Sequence, residues 1–156
     1  MRRHQQVMIA NAFLILLVAM FAGFMLGFGL IGGLEVYPGT IVEMPFYGSG
    51  EGWARAHTGG VLNGLLIIAV ALCLPLLPLA ASAQRWVVYG FIFVGWANTV
   101  FYWFGNAAGS RALSVADNPL GTTNLWGSAG YVLALIAAVL ITCLLAYLAY
   151  RTFTER

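Results

Sequence analysis

The chain has 156 residues, of which 62% are hydrophobic and only 8% are charged, and it contains no lysine. Soluble domains carry about 25% charged residues, so this composition excludes an ordinary water-soluble globular protein. A formal net charge of +2 also leaves no basic surface for a nucleic-acid partner. The composition therefore predicts a protein whose main partner is the lipid bilayer, folded as a single domain.

Four apolar stretches are long enough to cross a bilayer, because a helical span needs about 20 residues. They cover residues 7–31, 59–79, 86–104 and 125–150. The first stretch is longer than the apolar part of a secretory signal, which has about 7 to 15 residues, so it is expected to remain as a membrane helix. The pattern predicts an all-α integral membrane protein, a four-helix bundle comprising residues 1–156.

Positive charges predict the orientation of these spans. In a four-span threading, five arginines fall on the side of both termini, while two arginines and four acidic residues fall on the other side. Cytoplasmic segments are enriched in arginine, so both termini and the turn at residues 80–85 are expected to face the cytoplasm. The five arginines on that side are Arg2, Arg3, Arg85, Arg151 and Arg156.

Two longer connections lie on the opposite side. Residues 32–55 are rich in Gly and Pro and carry three glutamates, which is typical of an ordered re-entrant or surface loop and not of another span. Residues 106–124 form a second polar connection. Each connection adjoins a cluster of polar residues in a span, so the functional site is expected near one face of the membrane.

The first polar cluster opens the second span, in the segment EGWARAHTGGVLNG at residues 51–64. His57 is the side chain best suited to ligate a transition metal or haem iron, because Cys73 and Cys143 lie alone in apolar runs. His57 and Asn63 are six residues apart, which separates them by about 120° around a helix. A single ion could not easily reach both, whereas a cofactor wider than one helix could.

The second polar cluster lies in the third span, in the segment GWANTVFY at residues 95–102. Asn98 and Tyr102 are four residues apart and share one helix face, which continues to Gly105 and Asn106. In lipid such a stripe must point at protein, cofactor or water. Hydrogen bonding between helices, without any chemistry, is an equally good explanation of these side chains.

Other features of the spans have structural explanations. Gly23 and Gly27 form a small-xxx-small pair, which favours close helix packing. Most tryptophans fall near span ends, as in an interfacial aromatic belt. Trp96 lies deeper, where it would line a pocket or face lipid. None of these residues is assigned a chemical role.

The segments GGLEVYPGTIVE, EGWARAHTGGVLNG and GWANTVFY resemble signature segments of the styrene oxide isomerases, small four-helix membrane enzymes of bacterial styrene degradation. The resemblance covers residues 32–102 and continues more loosely through the fourth span. It implies a homotrimer in the bacterial inner membrane, with haem b held between protomers. It also implies that His57 ligates the haem iron and that Asn63 and Tyr102 line the substrate pocket.

The same resemblance implies a reaction. Ferric haem b would act as a Lewis acid on an aryl epoxide such as styrene oxide, and a 1,2-hydride shift would give the aldehyde, a Meinwald rearrangement without net redox change. Tyr102 and Asn63 are the expected catalytic side chains. Arg55, by its charge, and Asn98, by its position on the polar stripe, are expected to contact the haem, and Arg111 is a further candidate by charge.

One position departs from the family pattern, and two other classes of protein stay open. Val94 stands where the family pattern has an aspartate, so the acid is structural or the preferred substrate differs. A transport-type protein is disfavoured because every acidic residue falls in a loop or tail. A haem electron carrier would need a second axial ligand, and His4 lies at the opposite end of the first span. A non-catalytic haem-binding membrane protein and a purely structural membrane subunit, in which His57 binds nothing, are the remaining alternatives.

Overall fold

The computed structural model describes residues 3–154, so Arg2 and Arg156 of the charge pattern lie outside the described part of the chain. Four helices form the bundle: α1 at Arg3–Ile31, α2 at Gly50–Cys73, α3 at Ala81–Asn106 and α4 at Leu125–Thr154. Each is long and apolar enough to cross a membrane. The prediction of a mainly helical, multi-pass membrane protein is therefore confirmed.

Neighbouring helices pack antiparallel. The α1–α2 contact runs from Gly60 beside Ala19 to Gly64 beside Leu16. The α2–α3 and α3–α4 contacts follow the same up-and-down order, with Gly90 of α3 packed on the side chain of Leu144 near the end of α4. Both ends of the described chain thus lie on one side of the bundle, and the two long connections lie on the other.

The connection between α1 and α2 contains a hairpin, which the prediction of an all-α fold missed. Strand β1 at Gly33–Tyr37 pairs antiparallel with β2 at Thr40–Glu43. Pro38 and Gly39 form the turn, and Gly39 adopts a φ of 82°, the left-handed conformation that a type II turn requires at this position. The predicted ordered surface segment is therefore a small, mostly exposed two-stranded sheet.

Helix α2 begins at Gly50, whereas the hydropathy pattern predicts a span only from residue 59. The start is fixed by Ser49, whose side-chain oxygen accepts a hydrogen bond of 3.0 Å from the Gly52 amide. Hydropathy cannot detect these extra turns because, apart from Trp53, their residues are polar or small. As a result, Arg55 and His57 lie inside a helix and have fixed directions around its axis.

The described core has three apolar clusters: one around Val94 between α3 and α4, and two that lie towards opposite ends of the bundle. The larger lies towards the chain ends and the short turn between α2 and α3, and it includes Met8, Ile15, Ile67, Val87 and Phe91. The smaller lies towards the hairpin and consists of Ala22, Trp53 and Ala56, with Tyr102 and Trp103 packed against it. The candidate site residues of α2 and α3 lie along the helices between these clusters, in the outer half of the bundle.

Candidate active site

His57 lies on the side of α2 that contacts α1. Its Nδ1 atom is 2.9 Å from the backbone oxygen of Ala19. A carbonyl oxygen can only accept, so Nδ1 carries a hydrogen, and in the neutral imidazole Nε2 then keeps its lone pair. The imidazole makes no other hydrogen bond within residues 3–154. The partly buried His57 therefore presents one nitrogen that is free to bind a metal.

The surroundings of His57 fit a haem iron better than a metal ion held by protein alone. No group of three or more His, Cys, Asp or Glu side chains within residues 3–154 is placed to hold a metal ion. Haem supplies four nitrogen ligands itself and needs only one axial ligand from the protein. Metal-ligating histidines usually donate their second ring N–H to a carbonyl or carboxylate, as the Nδ1 atom of His57 does to Ala19.

Asn63 of α2 and Asn98 of α3 lie at the contact between these two helices. Asn98 Nδ2 donates to Asn63 Oδ1 at 3.0 Å, and Asn63 Nδ2 donates to the backbone oxygen of Gly59 at 2.7 Å. These hydrogen bonds link the two helices, as the structural interpretation of the amides predicted. Each amide retains one N–H that neither bond uses, so hydrogen bonding to a ligand remains open to both side chains.

Tyr102 lies one turn from Asn98 and packs its ring directly on Gly59, where a Cβ atom would overlap the ring. Its hydroxyl makes no hydrogen bond within the described residues 3–154. The ring borders a cleft of about 170 Å³ that is also lined by Arg55 and Arg111. Tyr102 therefore differs from the asparagines, because its polar atom is not needed to hold the helices together.

Arg55 and His57 are only two residues apart, so they point in directions about 200° apart around α2. Arg55 lines the cleft beside Tyr102, on the α3 side. Its guanidinium lies 3.5 Å from Glu51, whose carboxylate receives two stronger bonds of 2.8 Å each from Arg111. Within one chain, Arg55 thus borders the site of Tyr102 and not that of His57.

The predicted site residues therefore divide between two sides of α2. We call the side that contacts α1 the histidine side; it carries His57. We call the side that contacts α3 the amide side; it carries Asn63 and meets Asn98 and Tyr102. The predicted polar stripe of α3 does point at protein, as expected for a span in lipid. Within residues 3–154 no hydrogen bond joins the stripe to His57.

Asn106 continues the stripe but has a structural role. It is 8% exposed, and its Oδ1 accepts a hydrogen bond of 2.8 Å from the Ser49 amide. Its Nδ2 is buried without a partner in residues 3–154. Close by, partial burial raises the pKa of the Tyr47 phenol above its ordinary value. Asn106 ties the end of α3 to the start of α2.

The sequence did not predict several contacts near the site. Glu51 and Arg111 are 60 residues apart, and nothing in the chain pattern pairs them. Arg111 also adopts a positive φ of 57°, which is uncommon for a residue with a side chain. Trp96 Nε1 donates a hydrogen bond of 2.9 Å to Asn11 Oδ1 on α1, so the indole ring faces protein and not lipid. The feature of the sequence that points to this contact is Asn11, a polar residue within a largely apolar helix.

Val94, at the position where the family pattern has an aspartate, is only 3% exposed. It packs with Ala97 and Ala137 in an apolar cluster between α3 and α4. Val94 lies one turn before Asn98, on nearly the same face of α3, but its neighbours are apolar residues of α3 and α4. In this chain it belongs to helix packing and not to the polar layer.

The fold and these side chains define a small multi-pass membrane protein with a histidine, two amides and a free phenol in the outer half of its bundle. The family model for styrene oxide isomerase matches residues 4–153, and the chain belongs to this family. It is 35% identical over 147 residues to the styrene-oxide isomerase of Pseudomonas fluorescens, covering 94% of this chain and 87% of that protein.

A second relative is more distant. The chain is 30% identical over 106 residues to the hydroxylaminobenzene mutase HabB of Ectopseudomonas oleovorans, covering 65% of this chain and 64% of that protein. The predicted family resemblance is confirmed, and the chain is an enzyme, an intramolecular isomerase. The transport-type and non-catalytic alternatives are therefore set aside.

Proposed function

We propose that this enzyme converts an aryl epoxide, such as styrene oxide, into the corresponding aldehyde, and that it does so with ferric haem b. The epoxide follows from the relative named styrene-oxide isomerase. The observation that carries the haem is the 2.9 Å contact from His57 Nδ1 to the Ala19 carbonyl, which leaves Nε2 as the free ligand atom.

His57 would hold the haem iron, and the charge of Arg55 suits a haem propionate. Ferric haem, when bound, would supply a Lewis acid for the epoxide oxygen. Within residues 3–154 the acidic side chain nearest this site is Glu51 in the first turn of α2, and its carboxylate is paired with Arg111. This arrangement suits a rearrangement that needs neither a nucleophile nor a general base.

The rearrangement conserves every atom of the substrate. The benzylic carbon–oxygen bond opens, a hydride moves from the oxygen-bearing carbon to the benzylic carbon, and a carbonyl forms. Tyr102 can donate its uncommitted hydroxyl hydrogen to the substrate oxygen as negative charge develops there. The remaining N–H groups of Asn63 and Asn98 can orient the oxygen, and the aromatic and aliphatic surroundings exclude the water that would otherwise trap the cation.

We further propose that the enzyme works as a homotrimer with haem between protomers. His57 and Arg55 point about 200° apart around α2, so one chain cannot easily direct both at the same haem. A second copy could bring its amide side towards the histidine side of the first. In the bacterial inner membrane, with both termini cytoplasmic, this shared site would lie towards the hairpin side of the bilayer.

The test combines an optical spectrum with an assay in two oxidation states. We expect the purified protein to show the Soret band of ferric haem with one histidine ligand, and to form the aldehyde from styrene oxide. Dithionite should suppress turnover, reversibly on re-oxidation, because ferrous iron attracts an epoxide oxygen less strongly. Full turnover with the haem shown to be ferrous would exclude the Lewis-acid scheme, and full turnover without haem would exclude the cofactor.

A further inference from the structure

Small residues bring α1 and α2 unusually close on the histidine side. A Cβ atom at Gly60 would lie 2.7 Å from the Cβ of Ala19, and one at Gly64 would lie 3.2 Å from the backbone oxygen of Ala12. At this separation a side chain on α2 can reach the backbone of α1. That is how His57 contacts the Ala19 carbonyl, which in the helix also accepts from the amide of Gly23.

Gly23 is directly opposite the histidine ring. A Cβ atom built on Gly23 would lie 2.7 Å from His57 Nδ1 and 3.0 Å from its Cε1 atom. Gly27, one turn further along α1, would meet nothing within 4 Å. The two glycines form one small-xxx-small pair in the sequence, but only Gly23 is required by a neighbour. The neighbour is a side chain of the proposed site, not the backbone of a packed helix.

We propose that Gly23 is a positioning residue for His57: by leaving room for the ring, it lets the Ala19 carbonyl hold the imidazole as the Nδ1–H tautomer with Nε2 free. The consequence for haem rests on the proposed function, whereas the tautomer does not. A methyl group at residue 23 would come within 2.7 Å of Nδ1, closer than van der Waals contact allows. The ring would have to rotate away from α1 and lose its hydrogen bond to the Ala19 carbonyl. Neither the tautomer nor the orientation of the ring would then be fixed.

The first test uses haem-free protein. The ¹⁵N spectrum of histidine-labelled protein should show His57 with a protonated Nδ1 and an unprotonated Nε2, and the spectrum of His57→Ala identifies which signals belong to His4. Gly23→Ala should convert the His57 signals to a mixture of tautomers. Gly27→Ala is the matched control, on the same helix with the same added methyl group, and should keep the wild-type signals.

The second test measures haem affinity by titration. Loss of the outer partner of a metal-ligating histidine typically weakens metal binding by about 10-fold to 100-fold. We expect this loss in Gly23→Ala and not in Gly27→Ala. The proposal would be overturned if Gly23→Ala and Gly27→Ala showed the same His57 tautomer and the same haem affinity. If wild-type protein binds no haem, the proposed cofactor fails, and the ¹⁵N spectra still decide whether Gly23 positions the ring.

A third measurement covers the case in which Gly23→Ala is poorly folded. The added methyl group meets the imidazole, so removing the imidazole should remove the conflict. Gly23→Ala should therefore lower the melting temperature in the wild-type background and leave it nearly unchanged in the His57→Ala background. An equal decrease in both backgrounds would show that Gly23 serves helix packing and does not position His57.

Discussion

The two sides of α2 are held to their neighbours by different interactions. On the histidine side, glycines and alanines bring two helices into close contact, and the polar contact runs from His57 to a backbone carbonyl. On the amide side, Asn63 and Asn98 join the helices through side chains. A carbonyl within a helix cannot rotate, whereas amide side chains can exchange partners. The first side therefore suits a fixed metal ligand, and the second suits contact with a substrate that changes during reaction.

The difference between the sides also determines which residues are free to act. Nδ1 of His57 and one N–H of each asparagine are occupied by structural hydrogen bonds. The Tyr102 hydroxyl has no such bond within residues 3–154. A polar group without a structural partner next to a cleft is the better candidate for transition-state stabilisation. Substitutions on the two sides should accordingly separate cofactor binding from turnover.

The largest effect is expected from His57→Ala on the histidine side. The variant should lose haem and all isomerase activity, because His57 is the proposed haem ligand and the other histidine, His4, lies at the far end of α1. The helices should stay inserted, since the ring contributes little apolar contact. The measurement is the Soret absorbance per protein together with circular dichroism. Full haem occupancy in this variant would assign the ligand to another residue.

Tyr102→Phe on the amide side should keep haem and lose turnover. Removal of one preorganised donor lowers kcat by roughly 10-fold to 1000-fold when the donor acts on a developing oxyanion. Because the Tyr102 hydroxyl makes no hydrogen bond to another helix within residues 3–154, the melting temperature of the variant should not fall. Activity per bound haem is the quantity to compare. A value equal to wild type would leave Tyr102 as a packing residue.

Two adjacent glycines allow the sides to be compared with the same added methyl group. Gly59→Ala would push against the Tyr102 ring, and Gly60→Ala would push against Ala19. A small displacement of a reacting group can cost up to about 100-fold in rate, so Gly59→Ala should lower kcat at unchanged haem affinity.

Gly60→Ala should instead destabilise the α1–α2 contact by about 1–3 kcal/mol through overpacking. Thermal unfolding of the two variants, measured beside their activity per haem, distinguishes the effects. Identical profiles for the two variants would show that the two sides of α2 are not functionally distinct.

The smallest effect is expected from Glu51→Gln at the outer end of the amide side. Its carboxylate binds Arg111 through two bonds of 2.8 Å, and its side chain is 59% exposed. Exposed ion pairs contribute about 0.2–1 kcal/mol and weaken with salt. Thermal unfolding at low and high salt should show a small loss that disappears at high salt. A loss independent of salt would indicate a packing role for Glu51.

Much of the fold follows from local properties of the chain. A stretch of about 20 apolar residues becomes a helix in a bilayer because its backbone must satisfy its own hydrogen bonds. For the same reason the polar stripe of Asn98 and Tyr102 had to face protein. The hairpin between α1 and α2 was missed because its strands are short and exposed, and the early start of α2 depends on the Ser49 cap.

The site required the tertiary structure. Gly23 and Gly27 are equivalent in the sequence, and only the approach of α2 shows that His57 is opposite one of them. The hydrogen-bond partner of His57 is a backbone carbonyl, which every residue possesses and no sequence pattern marks. The pairing of Glu51 with Arg111 likewise joins residues far apart in the chain. The sequence by itself determined which segments are apolar enough to cross the membrane and which residue is the candidate metal ligand, because these depend on hydropathy and side-chain chemistry. Only the packing of the helices decided how that residue is held and that the other site residues lie on a different side of α2.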